Sequence, residues 1–340
     1  MRKRTSGIVL AVLFLLTASY CSKLYAETYP YAPVQASDPK VYRVLMKTRF
    51  VVPSSGVPVD QLRVWHALPT KREWSGTDTQ VGGTNISWIP ATGQKQYERS
   101  HGSHHVYWDT TVLHPGRTLY FESQFTVRSQ VRVFDPTTSQ TTWADYVPAS
   151  LPDADARRDI HADLANIADR IKASTTPSAA VLEFCKWLSA NITYDASVSY
   201  PYNDVASVMR NRRGHCAHYA EMLIQLCNRA GIPGRRVFGM NLYAPDGVTG
   251  GLQNYRADYT NTHTWVEVYF PRIGWVEVEP SSGEQGFTIP ARYIQNNTWF
   301  QNYAIWISQK GTWKQPEWLY QNGASVSAYG IENIISYSEQ

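Results

Sequence analysis

The stretch RRGHCAHYAEMLIQLCNRAGIPGRRVFG, residues 212–239, places a cysteine at the start of a helical pattern. Cys216, Ala220, Leu223 and Cys227 recur at the spacing of one helix face, and a Gly-Ile-Pro sequence ends the pattern. The first turn of a helix has free N–H groups and partial positive charge, which stabilise a thiolate. Cys216 is therefore a candidate nucleophile, whereas Cys227 is predicted to be a buried core residue.

Three interpretations of Cys216 are open from its neighbours: a nucleophile, a metal ligand with His215 and His218, or an ordinary buried thiol. Gly214 would let a substrate chain approach the sulfur closely. The two histidines project from different sides of the helix and are poorly placed as bases. A metal site is disfavoured, because the H-C-x-H cluster lacks a second pair of ligands. Acyl transfer needs a base, which must come from elsewhere in the chain.

The sequence THTWVEVYFPRIGWVEVEP, residues 262–280, predicts an antiparallel hairpin. Both strands alternate valine with polar or aromatic residues, so the valines are expected on one face. A loop around Pro271–Gly274 then predicts that Val266 pairs with Val276. Because successive residues point to opposite faces, the residues between the valines are expected on the opposite face.

The predicted register places His263 opposite Glu279 and Trp265 opposite Glu277. An imidazole beside a carboxylate supplies the second and third members of a catalytic triad. A histidine that simply satisfies its hydrogen bonds within a strand is the structural alternative. His263 is therefore the candidate base for Cys216, and Glu279 the candidate orienting carboxylate.

The rest of the chain predicts an α+β protein with helices packed on an antiparallel sheet, preceded by a β-rich, sandwich-like domain. Residues 27–148 contain short alternating runs between turn residues, which are typical of antiparallel strands. Residues 149–340 contain helical patterns, then strands, then a tail rich in aromatic residues. That tail could pack on the protein or line a sugar or peptide groove. We predict two domains that meet at residues 148–149.

The first 26 residues are typical of a secretory signal peptide, with Arg2, Lys3 and Arg4 ahead of an apolar run too short to span a bilayer. A lipid anchor at Cys21 is disfavoured because bulky Tyr20 precedes it. We expect a periplasmic or secreted protein without a membrane span.

Charge and cysteine content restrict the function further. All of the formal charge of +4 lies within the predicted signal peptide, so nothing favours a nucleic-acid partner or an anionic surface. Three of the four cysteines lie beyond it, which leaves at least one free thiol and argues against a disulfide scaffold.

Three blocks in the order of the chain resemble the transglutaminase-like superfamily, over about residues 150–282. GHCAHYA resembles its nucleophile motif G-x-C-x-x-[YF]-A, and HTWVEVYF with GWVEVEPS resembles its H-x-W-x-E-V and GW-x-x-x-DP blocks. The segment EFCKWLSANITYD resembles the helix that precedes the family's cysteine. The resemblance implies a papain-like Cys-His-Asp core.

Carried over to this chain, the resemblance implies that Cys216 is the nucleophile and His263 the base. Glu279 stands where the family has aspartate. Tyr194 is the candidate oxyanion donor, and Trp265 would support the cleft. No metal or organic cofactor is implied.

We therefore expect an exported cysteine enzyme that acts on peptide or protein amide bonds through a thioester on Cys216. Hydrolysis, as in a peptidase or amidase, is favoured over cross-linking, and cell-wall peptides are among the candidate substrates. The alternative is a catalytically weak transglutaminase-like module that binds peptides or cell-wall material. The residues leave the natural substrate open.

Overall fold

The computed structural model describes residues 34–54, 58–74, 77–98, 103–139, 141–146, 160–242, 253–256, 262–271, 273–297, 303–309, 311–314, 320–321, 324–325 and 330–340. The predicted signal peptide, the anchor position Cys21 and the predicted domain boundary lie outside these residues. Within them, no helix is long and apolar enough to cross a bilayer.

Strands dominate the first part of the described chain: β1 (Val34–Val51), β2 (Val59–Leu68), β3 (Arg72–Trp74), β4 (Thr77–Ile89), β5 (Gln94–Glu98), β6 (Ser103–Leu113) and β7 (Thr118–Phe134). Helices follow: α1 (Ala162–Lys172), α2 (Pro177–Asn191), α3 (Val205–Asn211) and α4 (Cys216–Ala230). The short strands β8 (Thr193–Tyr194) and β9 (Arg213–Gly214) lie between the helices.

The later strands are β10 (Gly234–Asn241), β11 (Gln253–Arg256), β12 (Thr262–Phe270), β13 (Gly274–Val278), β14 (Thr288–Ile289), β15 (Tyr293–Asn297), β16 (Tyr303–Gln309), β17 (Thr312–Lys314), β18 (Tyr320–Gln321), β19 (Ala324–Ser325) and β20 (Gly330–Glu339). A 3₁₀ helix spans Pro280–Gln285, directly after β13, and another spans Trp143–Asp145.

Two sheets with a shared apolar core form a sandwich. One has the strand order β11-β20-β1-β7-β4-β3, with β14 also paired to β7, and the other has the order β17-β16-β2-β6-β5. Alternate residues of β1 are buried, as the period of two predicts. The prediction of a β-rich sandwich is confirmed, and its core includes Tyr42, Val44, Met46, Phe50, Leu62, Val64, Trp108, Phe125, Ile305 and Ile335.

The C-terminal strands belong to this sandwich by their pairing. β16 pairs with β2, and β20 pairs with β1 from Tyr42↔Glu339 to Val51↔Gly330. The sequence analysis grouped this aromatic-rich tail with the catalytic domain, because sequence order carries no information about pairing between strands nearly three hundred residues apart. Trp299 and Phe300 of the tail lie outside the described residues.

The second core combines helices with a four-stranded antiparallel sheet of order β13-β12-β10-β15. Valines of β12 and β13 pack in one cluster with Leu223 and Leu226 of α4. Cys227 of α4 is fully buried there, which confirms its prediction as a core residue, and Cys185 of α2 is fully buried in the same cluster. Helices packed on an antiparallel sheet confirm the predicted α+β class.

The hairpin of β12 and β13 has a different register from the predicted one. Val266 pairs with Val278 and Val268 with Val276, so the predicted partner of Val266 was wrong by two residues. The turn is tight because Phe270 already pairs with Gly274, whose φ of +98° favours glycine. A shift of two residues keeps every side chain on its predicted face.

Candidate active site

Cys216 is the first residue of α4, and the residues before it hold its backbone in place. His215 is the N-cap in an extended conformation, and its Nδ1 accepts from the Ala217 N–H at 3.2 Å. Gly214 pairs with Tyr194 in the parallel bridge of β8 and β9. A Cβ on Gly214 would lie 3.0 Å from the His218 Cβ, so the glycine allows this close packing.

His263 and Glu279 form a buried pair on the hairpin. The imidazole Nε2 donates to Glu279 Oε2 at 2.6 Å, and the side chains are only 7% and 1% exposed. In the observed register the two residues are diagonal neighbours rather than opposite ones, and the longer side chain of glutamate covers the additional distance. Ser281 fixes the other carboxylate oxygen, because its N–H and hydroxyl donate to Oε1 at 3.0 and 2.6 Å.

The Cys216 thiol and the His263 ring lie close enough for each to shift the pKa of the other. Because Nε2 of His263 is directed at Glu279, Nδ1 is the ring nitrogen left for the sulfur. Burial disfavours the charged forms of both groups. Even so, hydrogen bonds from His215 and His263 hold the pKa of the Cys216 thiol well below its usual value. Glu279 and the sulfur raise the pKa of His263 against the effect of burial. The site therefore favours a thiolate–imidazolium pair.

The two histidines next to Cys216, which the sequence analysis judged poorly placed as bases, differ in their surroundings. The His215 ring lies close enough to Cys216 to lower the pKa of the thiol. His218 Nδ1 accepts from the His215 N–H, and its Nε2 lies 3.2 Å from the Pro201 carbonyl oxygen. Burial lowers the pKa of His218 to about 4, so this ring is neutral at pH 7. Both of its nitrogens are thus already used within the protein.

Tyr194 places a phenol beside the candidate nucleophile. Its hydroxyl lies close enough to the side chain and backbone of Cys216 to interact with both. The side chain is 49% exposed, so it lies at the mouth of the site. Burial of the hydroxyl and the nearby sulfur raise the pKa of Tyr194, which keeps the phenol protonated. A hydroxyl and a backbone N–H beside one sulfur are the donor types of an oxyanion hole.

Comparison with known proteins finds a family model that matches the segment containing this site. Residues 165–280, which contain Tyr194, Cys216, His263 and Glu279, match the family model of the transglutaminase-like superfamily. The chain carries a transglutaminase-like core. This match supports a cysteine-dependent enzyme.

Relatives resemble the core over limited segments. YebA of Bacillus subtilis, an uncharacterised protein, is 36% identical over 120 residues, which are 33% of this chain and 16% of YebA. A protein-glutamine gamma-glutamyltransferase of Pseudomonas aeruginosa is 36% identical over 75 residues, 21% of this chain and 10% of that enzyme. The chain thus covers less than a fifth of either relative.

A solved structure resembles most of the described fold. A candidate cysteine protease from Cytophaga hutchinsonii superposes with a TM-score of 0.54 and 16% identity, covering 90% of this chain and 100% of that one. At this identity the likeness concerns the fold alone.

Around the histidine, the transglutaminase-like core includes residues that sequence reasoning missed. The Tyr293 ring meets the His263 ring edge-on at 4.7 Å, and the Tyr293 phenol lies close enough to Glu279 that burial and the carboxylate together raise its pKa. Trp265, predicted to support the cleft, stacks on His263 at 5.8 Å with an interplanar angle of 25°. Tyr293 follows β12 by more than twenty residues and carries no local motif, so only the pairing of β15 with β10 could have revealed it.

Proposed function

We propose that this protein is a cysteine acyl-transfer enzyme that cleaves peptide or protein amide bonds through a thioester on Cys216. The observation that carries the proposal is the buried 2.6 Å hydrogen bond between His263 and Glu279, beside a Cys216 thiol whose pKa the imidazole helps to lower. The sulfur, imidazole and carboxylate are the nucleophile, base and orienting group that acyl transfer requires.

In the first half-reaction the Cys216 thiolate adds to the carbonyl carbon of the amide. The carbonyl oxygen becomes an oxyanion, which can accept hydrogen bonds from the Cys216 N–H and the Tyr194 hydroxyl. The C–N bond then breaks while the His263 imidazolium gives its proton to the leaving nitrogen. Glu279 stabilises the positive ring until that transfer, and the acyl group remains on sulfur as a thioester.

In the second half-reaction a nucleophile attacks the thioester carbon, and neutral His263 takes its proton. The C–S bond breaks, and the thiolate–imidazolium pair is restored. Water gives hydrolysis, and a primary amine gives a new amide. We favour water because Tyr194 is half-exposed and Cys216 is only partly buried, so solvent reaches the thioester. The names of the relatives include both a transferase and a candidate protease.

We further propose that the enzyme acts in the periplasm or outside the cell, on extracytoplasmic peptides or proteins. The basic start and the apolar run within the first 26 residues support export. Peptides of the cell wall are accessible to an exported amidase, so they belong in the first substrate set.

A product screen tests the proposal. The full chain and Cys216→Ala would be incubated with protein-derived peptides and cell-wall stem peptides, with and without a primary amine, and products would be identified by mass spectrometry. We expect hydrolysed peptide and an acyl adduct on Cys216 with the wild type, and neither with the variant. Amine-containing products in excess of hydrolysed ones would instead indicate transfer.

The competing function is a non-catalytic module that binds peptides or cell-wall material. It predicts binding of the same peptides by both proteins, no product, and a Cys216 thiol that titrates near pH 8.5 like a free cysteine. That combination would overturn the enzymatic proposal.

A further inference from the structure

Two buried carboxylates lie side by side on the catalytic hairpin. Glu267 of β12 pairs directly with Glu277 of β13, and their side chains are 0% and 3% exposed. Like charges on directly opposed residues destabilise a sheet, and buried charges need partners. A hairpin with these two glutamates therefore requires positively charged side chains from other strands.

Three arginines supply these cations, and two of them come from the sandwich. Arg235 of β10 donates from Nε to Glu267 Oε2 at 2.7 Å, and Arg72 of β3 also hydrogen-bonds Glu267. Arg132 of β7 holds Glu277 with two bonds, from Nε at 2.6 Å and from Nη2 at 3.1 Å. The fork geometry of this pair fixes the position of the Glu277 carboxylate as well as its charge.

Glu277 and Arg132 in turn position the aromatic rings around the catalytic histidine. The Trp265 indole Nε1 donates to Glu277 Oε1 at 3.1 Å, and the Trp265 ring stacks on His263. Arg132 also donates to the Tyr293 carbonyl oxygen at 3.2 Å, and the Tyr293 ring packs against His263. One guanidinium therefore holds two aromatic neighbours of the imidazole.

We propose that Arg132 is a positioning residue of the active site, which keeps the His263 ring aligned between Cys216 and Glu279 by holding Glu277, Trp265 and Tyr293. The inference rests on the proposed function. It makes the sandwich a necessary part of the catalytic apparatus, because the guanidinium lies on β7. The hydrogen bonds of Arg132 go to Glu277, to the Tyr293 carbonyl oxygen and to β7 itself, so its effect on His263 passes through the aromatic rings.

The test uses two conservative substitutions in the full chain. Arg132→Lys keeps the positive charge but loses the two-pronged contact, and Trp265→Phe keeps a ring but loses the indole donor. A displaced catalytic group costs about 10–100-fold in rate. We therefore expect kcat to fall by about that factor in both variants, with a much smaller change in KM.

Arg236→Lys is the matched control. Arg236 donates to buried Glu221 at 2.6 Å and is itself 7% exposed. It pairs with Val266, so its side chain lies on the opposite face of the sheet from Trp265, and the variant tests loss of a buried guanidinium on that other face. We expect this variant to lose a similar amount of stability in urea unfolding and to keep kcat within about threefold of the wild type.

A spectroscopic readout separates this inference from the proposed function. NMR of ¹⁵N-labelled histidine would follow the His263 Nε2–H proton in its short hydrogen bond with Glu279, without any substrate. We expect a downfield signal in the wild type and in Arg236→Lys, and its shift or loss in Arg132→Lys and Trp265→Phe. Folded Arg132→Lys and Trp265→Phe proteins with an unchanged signal would overturn the inference. Absence of amide cleavage by the wild type, with the signal still dependent on Arg132, would overturn only the proposed function.

Discussion

Glu279→Gln tests whether the carboxylate stabilises the reactive ion pair, because it removes the charge and keeps a hydrogen-bond acceptor of the same length. The bond between the His263 imidazole and the carboxylate is 2.6 Å long and buried. Coulomb's law at an effective dielectric constant of about 20 gives roughly 6 kcal/mol for unit charges at this separation. Breaking buried ion pairs by removing one partner costs about 3–5 kcal/mol.

This free-energy loss destabilises only the charged state of the site, in which Cys216 is a thiolate and His263 an imidazolium. At about 1.4 kcal/mol per pKa unit, the apparent pKa of Cys216 is expected to rise by roughly 2–4 units. In the wild type the thiol pKa is depressed, so reactivity persists well below the pH at which a free cysteine loses it. In Glu279→Gln the acid limb of the profile moves to higher pH.

The assay is the rate of iodoacetamide alkylation at Cys216 as a function of pH. Cys185 and Cys227 are fully buried and remain silent in the folded protein, and Cys216→Ser provides the blank. Glu183→Gln is the control, since Glu183 pairs with Lys186 at the surface of α2. A Glu279→Gln profile that coincides with the wild type would refute the argument, since the carboxylate would then have no influence on the sulfur.

Three further substitutions test other parts of the molecule. Tyr194→Phe should lower kcat by about 10²–10³-fold with little change in KM, as for loss of an oxyanion donor, and a decrease below threefold in steady-state kinetics would contradict that role. His215→Asn keeps an N-cap acceptor but removes an imidazole donor. The alkylation profile of Cys216 should therefore shift to higher pH by about 1–2 units, which is less than in Glu279→Gln. An unshifted profile would contradict an interaction between His215 and the sulfur. His66→Gln tests stability in acid. Burial lowers the pKa of His66 to about 3, so between about pH 6.5 and pH 3 the unfolded chain binds this proton and the folded protein does not. The wild-type free energy of unfolding should therefore fall by about 1.4 kcal/mol per pH unit as the pH decreases over that range. Urea unfolding of His66→Gln between pH 7 and pH 4 should lack that slope, and an unchanged slope would contradict the assignment.

Local patterns predicted the elements of the core. Helix α4 begins at Cys216 and β12 begins at Thr262 and ends at Phe270, where the sequence patterns begin and end. The faces of the hairpin were also predictable, since side chains alternate along a strand. The register was not, because it depends on the geometry of the turn at Gly274. Glu279 accordingly reaches His263 from a diagonal position.

Two features of the site, the position of His215 and the contact of Arg132, could not be predicted from any local sequence pattern. His215 was assessed as if it lay on the surface of the helix, but its ψ of −178° places it before the helix, where helical spacing does not apply. Arg132 lies 145 residues from Glu277, and no local pattern links a strand of the sandwich with the catalytic hairpin. Such contacts follow only from the tertiary arrangement.

The pairing of β1 with β20 sets the order in which the protein can fold. Tyr42 cannot meet Glu339 until the ribosome has made the next 297 residues (339 minus 42). At translation rates of roughly 5–20 residues per second, that takes about 15–60 s. Pairing across such a separation is also slow, because a long loop must close first. The sandwich therefore lacks the β20 neighbour of β1 until residue 339 has been made.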